Sequence, residues 1–118
     1  MWQSDLWIAL YKLSEAKLSL GDTASARELG AEALTIIRRL AASNSANVQR
    51  RLQLVMNLYL LASLTNGADR KQALEEALAI LEQLRQANQL PADKIEWADK
   101  IRQMLASQPA ADKAKTPG

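Results

Sequence analysis

Neither cysteine nor histidine occurs anywhere in the 118 residues, and phenylalanine is missing as well. Without Cys and His there is no Cys/His zinc site, no thiol nucleophile, no Ser-His-Asp triad and no histidine general base. Most hydrolytic and redox mechanisms go with them. The lack of Cys leaves the compartment open, because a disulfide-free helical domain is stable in the cytosol and outside it. Only four Gly and three Pro interrupt a chain that is 48% hydrophobic. Leu and Ala supply most of that share, which is a helix-forming composition.

Charge of one sign is also scarce. Fifteen basic and 13 acidic residues leave a net charge of +2, too balanced for a nucleic-acid footprint. No long hydrophobic run is present either. The most apolar stretch, residues 52–64, carries Gln53, Asn57 and Ser63 and is shorter than the roughly 20 residues of a membrane span. Met1 leads straight into an amphipathic pattern with no basic start and apolar block, so no secretory leader is visible. A cytoplasmic protein without a membrane partner is the expectation. The length suits one domain with a modest core.

What the chain does have is a repeat. Trp2-Gln3-Ser4-Asp5-Leu6 returns as Val48-Gln49-Arg50-Arg51-Leu52, and Glu32-Ala33-Leu34-Thr35-Ile36-Ile37 as Glu76-Ala77-Leu78-Ala79-Ile80-Leu81. Self-similarity with a period of about 20 to 50 residues points to a solenoid, in which each unit covers its neighbour's apolar face and the stack offers an extended surface to partners. A binding module is therefore expected before any chemistry is considered.

Helical spacing of apolar residues gives five helices. The first covers residues 5–20 through Leu6, Leu10, Leu13 and Ala16, with Ser4 as N-cap and Gly21 as stop. Asp22 caps the second, which carries Ala26, Leu29, Ala33, Ile36, Ile37 and Leu40. The polar turn 43–47 precedes a third helix over 48–65, apolar nearly all round and therefore central. Asn66-Gly67 ends it. Asp69 with Gln72 reads as a capping box for the fourth helix, broken by Asn88-Gln89-Leu90-Pro91, and Asp93 with Glu96 as a capping box for the fifth. From residue 107 the Ala, Lys and Pro content suggests a disordered tail over 107–118.

Gly21-Asp22, then Ala26, then Ala33-Leu34 and Ile36 resemble the tetratricopeptide repeat, in which a glycine closes the first helix and two small residues seven apart on the second allow close approach. Leu10, Leu13 and Ser14 fall where that family places a large, a leucine-like and a small residue. The second unit keeps Leu52, Ala62, Leu64, Gly67 and Ala77-Leu78, but its connection is two residues shorter, and Leu60 stands where Ser14 stands in the first. The start at Trp2 and the stretch Arg38-Arg39-Leu40-Ala41 are similar to a bacterial subgroup found on large multidomain proteins.

The resemblance implies an all-α, right-handed α-α superhelix over residues 1–106: repeat 1 at 5–42, repeat 2 at 48–88 and a C-terminal capping helix at 92–106. It also implies a concave, partner-binding face formed by the first helices of the repeats. Ile8, Tyr11, Lys12 and Glu15 would lie there, with Leu54, Asn57, Leu58 and Leu61 from the third helix. Chaperone-binding members hold a carboxylate with Lys, Asn and Arg on this face. Glu15 and Leu58 occupy two of those places, so that function is not carried over.

Each candidate has a plainer reading. Leu54, Leu58 and Leu61 make either a groove for a partner helix or a core surface covered by a neighbouring helix. Trp2 and Trp7 are candidate interface anchors at the exposed end of the stack. Packing between the first two helices accounts for Trp7 equally well, and Trp97 reads as sealing the core. Arg38, Arg39, Arg50 and Arg51 gather at one edge, either as an anionic docking patch or as a solvated edge paired to Glu or Asp. Glu75-Glu76, Glu28 with Glu32, and Asp99 read as solvated helix faces, and Glu96 with Lys100 as a surface pair.

The resulting expectation is a non-catalytic protein-protein interaction or scaffolding module, without cofactor or metal, forming the C-terminal part of a longer array or of a multidomain protein. Its partner would be a protein or peptide, with self-association through the N-terminal end as a further possibility. The alternative is a helical domain that binds nucleic acid or an anionic ligand through Arg38, Arg39, Arg50 and Arg51. An enzyme using Glu75 or Glu76 with a metal is the remaining class.

Overall fold

Gly21 takes a left-handed backbone angle, φ +83°, and there the first helix turns into the second. The Asp22 N–H reaches back to the Lys17 carbonyl at 2.9 Å and the Gly21 N–H to Leu18 at 2.9 Å, closing the helix end in the way glycine permits. Asp22 then caps the second helix: its Oδ1 accepts the Ser25 N–H at 3.1 Å. Hydrogen bonds from Ser25 hold the Asp22 carboxyl below its ordinary value, with help from the charge of Lys17. Asn88, at φ +57°, closes the fourth helix in the same manner, the Gln89 N–H donating to the Leu84 carbonyl at 2.8 Å.

The structure, a computed structural model, describes residues 2–43 and 46–107, with only the backbone of Trp2 and Gln3. Its five α-helices run in the order α1 (Trp2–Ser19), α2 (Thr23–Ser43), α3 (Val48–Leu64), α4 (Gly67–Gln86) and α5 (Ile95–Ser107), with a 3-10 turn at Ala92–Lys94 before the last. Among the described residues there is no strand. The expected tail lies, from residue 108 onward, outside them.

Three start signals fall elsewhere than the sequence suggests. Helix α1 begins at Trp2, so Ser4 lies inside it, and its hydroxyl accepts a bond from Arg50 Nη1 at 2.8 Å. Only Thr65 and Asn66 separate α3 from α4, so α4 starts at Gly67 and Asp69 sits in its first turn rather than at its cap. Asp93 falls within the 3-10 turn, where the Lys94 N–H donates to the Pro91 carbonyl at 2.9 Å. Asn47 does cap α3, accepting the Arg50 N–H at 3.1 Å.

Each helix packs chiefly on its neighbours in sequence: α1 on α2, α2 on α3, α3 on α4 and α4 on α5. The result measures 50 × 36 × 22 Å. Small residues set the approach within the first pair: Ser14, Ala26 and Ala33 are fully buried, and the Ser14 hydroxyl donates to the Ala26 carbonyl at 2.6 Å. At Gly30 an added Cβ would meet Leu61 Cδ2 at 3.0 Å, which is how closely α3 lies against α2. In the second pair Leu74, Ala77, Leu81 and Leu84 of α4 are wholly covered.

Helix α3 is the central element, burying Leu54, Val55, Asn57, Leu58, Leu60, Ala62 and Leu64. Its one buried polar side chain is fully used. Asn57 Oδ1 accepts the indole N–H of Trp7 at 2.9 Å, and its Nδ2 donates to the Gly30 carbonyl at 3.0 Å. A single side chain thus ties α1, α2 and α3 together. Desolvating an amide costs little when both its ends find partners.

Candidate docking site

Tyr11 of α1, Val55, Met56 and Tyr59 of α3, and Trp97, Lys100 and Ile101 of α5 line one cleft of about 260 Å³. Helical spacing brings them there: Val55, Met56 and Tyr59 share a face of α3, and Trp97 with Ile101 share a face of α5. Three aromatic rings and a thioether surround a space suited to an apolar side chain. The Lys94 ammonium sits 4.5 Å from the centre of the Trp97 ring, a cation–π contact that fixes one wall. Lys94 also pairs with Asp93 at 3.3 Å.

Tyr11 and Met56 are shared with an adjoining trough of about 460 Å³, lined further by Trp7, Ile8, Lys12, Glu15 and Gln53. The two spaces make one surface across α1, α3 and α5. The Tyr11 ring lies 5.3 Å from that of Trp7, tilted by 38°. Burial raises the Tyr11 phenol above its ordinary value and the nearby Glu15 charge raises it further, so it stays protonated at neutral pH and able to donate. The flanking charges are of mixed sign: Lys12 and Lys100 against Glu15.

The expected concave face is thus placed in two parts. From α1, Ile8, Tyr11, Lys12 and Glu15 all line this surface. The α3 residues differ: Leu54, Asn57 and Leu58 are core, with Asn57 0% and Leu58 1% exposed. Leu61 is half-buried on another side, in a more polar cleft between α2 and α4 that it lines with Leu58, Arg27, Arg38, Asp69 and Glu76. The physical reason is that α2 covers the Leu54, Asn57, Leu58 and Leu61 side of α3, which leaves Gln53, Met56 and Tyr59 for the open face.

Trp7 is likewise no exposed anchor: it is 3% exposed, its indole bonded to Asn57. The side chain of Trp2 lies outside the described residues. Trp97 does more than seal the core, since it lines the cleft while half-buried. Lys100, which lines that same cleft, makes no ion pair with Glu96 among the described residues.

The arginine edge is largely consumed within the chain. Arg38 forms a two-pronged pair with Glu76 at 2.6 and 2.8 Å, Arg51 donates to Gln83, and Arg50 donates to Ser4 and to Gln53 at 3.1 Å. Arg39 alone of the four makes no such bond among the described residues. At the far end Arg102 joins Glu82 of α4 and Asp99 of α5. Such exposed pairs are each worth about 0 to 1 kcal/mol.

Among the described residues no group of three acidic side chains could hold a metal ion, and no helix is long and apolar enough to cross a membrane. Comparison with protein-family profiles, with curated proteins and with solved structures gives no match to this chain.

Proposed function

We propose that the chain is a non-catalytic, tetratricopeptide-like docking module that seats an apolar side chain of a protein or peptide partner in the cleft between α1, α3 and α5. In this reading the two hairpins and the last helix stack as a right-handed superhelix, with the first helix of each hairpin and α5 on the concave side. The cleft carries the reading: aromatic and thioether walls around about 260 Å³, bordered by a trough with charges of both signs. Apolar space with a few polar groups at its edge is the usual form of a recognition site. Gly21 closing α1, the Ser14–Ala26 contact and the buried Ala33 and Ala77 support the family resemblance.

Peptide selection tests it. Peptides enriched from a random displayed library on the parent chain should carry a bulky apolar residue, and Tyr59→Ser should weaken their binding by roughly 30-fold, the scale of an aromatic hot spot. Calorimetric titration reads the change, with helicity checked by circular dichroism. Failure to enrich any peptide, or equal binding by parent and folded Tyr59→Ser, removes the cleft as the docking site.

A further inference from the structure

Helix α1 carries a second apolar stripe that no part of the described chain covers. Leu6, Ala9, Leu13, Ala16 and Leu20 recur at alternating intervals of three and four residues, the seam spacing of a coiled coil. All five are exposed, Leu13 by 47% and Leu20 by 80%. Leu20 stays in helical register, its N–H bonded to the Ala16 carbonyl at 3.1 Å. The face that α1 turns to α2 is a different one, bearing Trp7, Leu10 and Ser14. Apolar residues thus line more of α1 than one partner helix requires.

The order of sizes along the stripe identifies what fits it. Leucine and alanine alternate at every step. A parallel copy would set Leu on Leu and Ala on Ala, leaving voids at the alanine layers. An antiparallel copy whose two-fold axis falls beside Leu13 sets Leu13 over Ala16 or Ala9 of the other chain, and one end leucine over the remaining alanine, large into small, with the other end leucine beyond the pairing. This lets the axes approach to the short end of the usual 8–10 Å. A run of four successive positions of the stripe, Leu6 to Ala16 or Ala9 to Leu20, is its own complement under such an axis, as an isologous contact demands. We infer that this stripe is a homodimer seam, in which α1 of two copies of this chain pair antiparallel.

The seam is modest in size. An 18-residue helix is about 27 Å long, and one helix face of that length falls short of the roughly 800 Å² per partner of a standard interface. The dimer is therefore reversible and concentration-dependent. It uses a face apart from the cleft, so it stands or falls separately from the docking site.

Sedimentation equilibrium on the whole chain tests the seam. The weight-average mass should climb from 13.0 kDa towards twice that value as concentration rises from roughly 10 μM to 1 mM. Leu13→Lys should stay monomeric over that range, with Ala16→Glu as a second break should the first lose helicity, while Tyr59→Ser should dimerise like the parent. The chain lacks cysteine, so orientation can be read directly. Leu13→Cys chains should form disulfides with Ala9→Cys or Ala16→Cys chains faster than with each other. A parent that remains monomeric throughout overturns the pairing and leaves the stripe to a helix of some other protein. Undiminished dimerisation of both folded seam variants, or fastest linkage between Leu13→Cys chains, overturns it as well.

Discussion

Leu58→Lys should abolish the cooperative thermal transition of this domain, whereas Tyr59→Lys, one residue along the same helix, should leave it folded. Leu58 is 1% exposed and belongs to the main hydrophobic cluster. An ammonium at this buried position carries a desolvation penalty of several kcal/mol, added to the loss of a leucine's packing, about 2 to 5 kcal/mol. A domain of this size has about 5 to 15 kcal/mol of stability in total. Tyr59 faces the cleft, where a lysine can extend into water. Circular dichroism against temperature distinguishes the two. A Leu58→Lys melt within a few degrees of the parent would mean that Leu58 lies on an open face.

Asn57→Ala should cost about 3 to 4 kcal/mol. The substitution leaves the Trp7 indole N–H buried without the bond it makes to Asn57, worth about 1 to 3 kcal/mol, takes from the Gly30 carbonyl the bond it accepts beyond its place in α2, and opens a small void as well. At about 4 to 8 °C per kcal/mol for a domain near this length, the midpoint should fall by roughly 15 °C or more. The Trp7→Phe/Asn57→Leu double variant should recover part of that loss, since replacing both partners by apolar groups removes the unpaired donor. A double-mutant cycle with Trp7→Phe reads the coupling. Additivity of the two single effects would mean that the bond contributes nothing.

Both variants concern α3, and there the sequence is least informative. Five helices, their order and most of their ends are set by local signals: Gly21 with Asp22, Asn47 at its cap, and the apolar spacing of α2 and α4. These depend on residues a turn apart. The cap signal at Asp69 misplaces a start because only Thr65 and Asn66 connect α3 to α4, so that the helix is already under way at Gly67; Ser4 lies inside α1, where its hydroxyl serves Arg50 rather than a helix end. A helix that is apolar all round gives no phase, however. Leu54, Leu58 and Leu61 and the set Val55, Met56 and Tyr59 look equivalent until the position of α2 decides between them.

Asn57 shows the same limit from the other side. Placed among leucines, it reads as a polar residue of an exposed face, yet its partners are Trp7 and Gly30, 50 and 27 residues away. No local pattern announces them. The usable signal is a lone amide flanked by apolar residues at helical spacing, which is more consistent with a satisfied core group than with a groove. Trp97 and Lys100 are legible as members of an amphipathic helix, but their joint place in the cleft depends on how α5 docks.

In the proposed docking module, partners enter between α1, α3 and α5. Titrating a selected peptide into the isotope-labelled chain and following amide and indole resonances tests it most directly. The Trp97 indole N–H and the amides of Tyr11, Met56, Tyr59 and Lys100 should shift with the peptide, while the Trp7 indole, bonded to Asn57, should not. Shifts centred on Arg38, Leu61 and Glu76, in the cleft between α2 and α4, would contradict it.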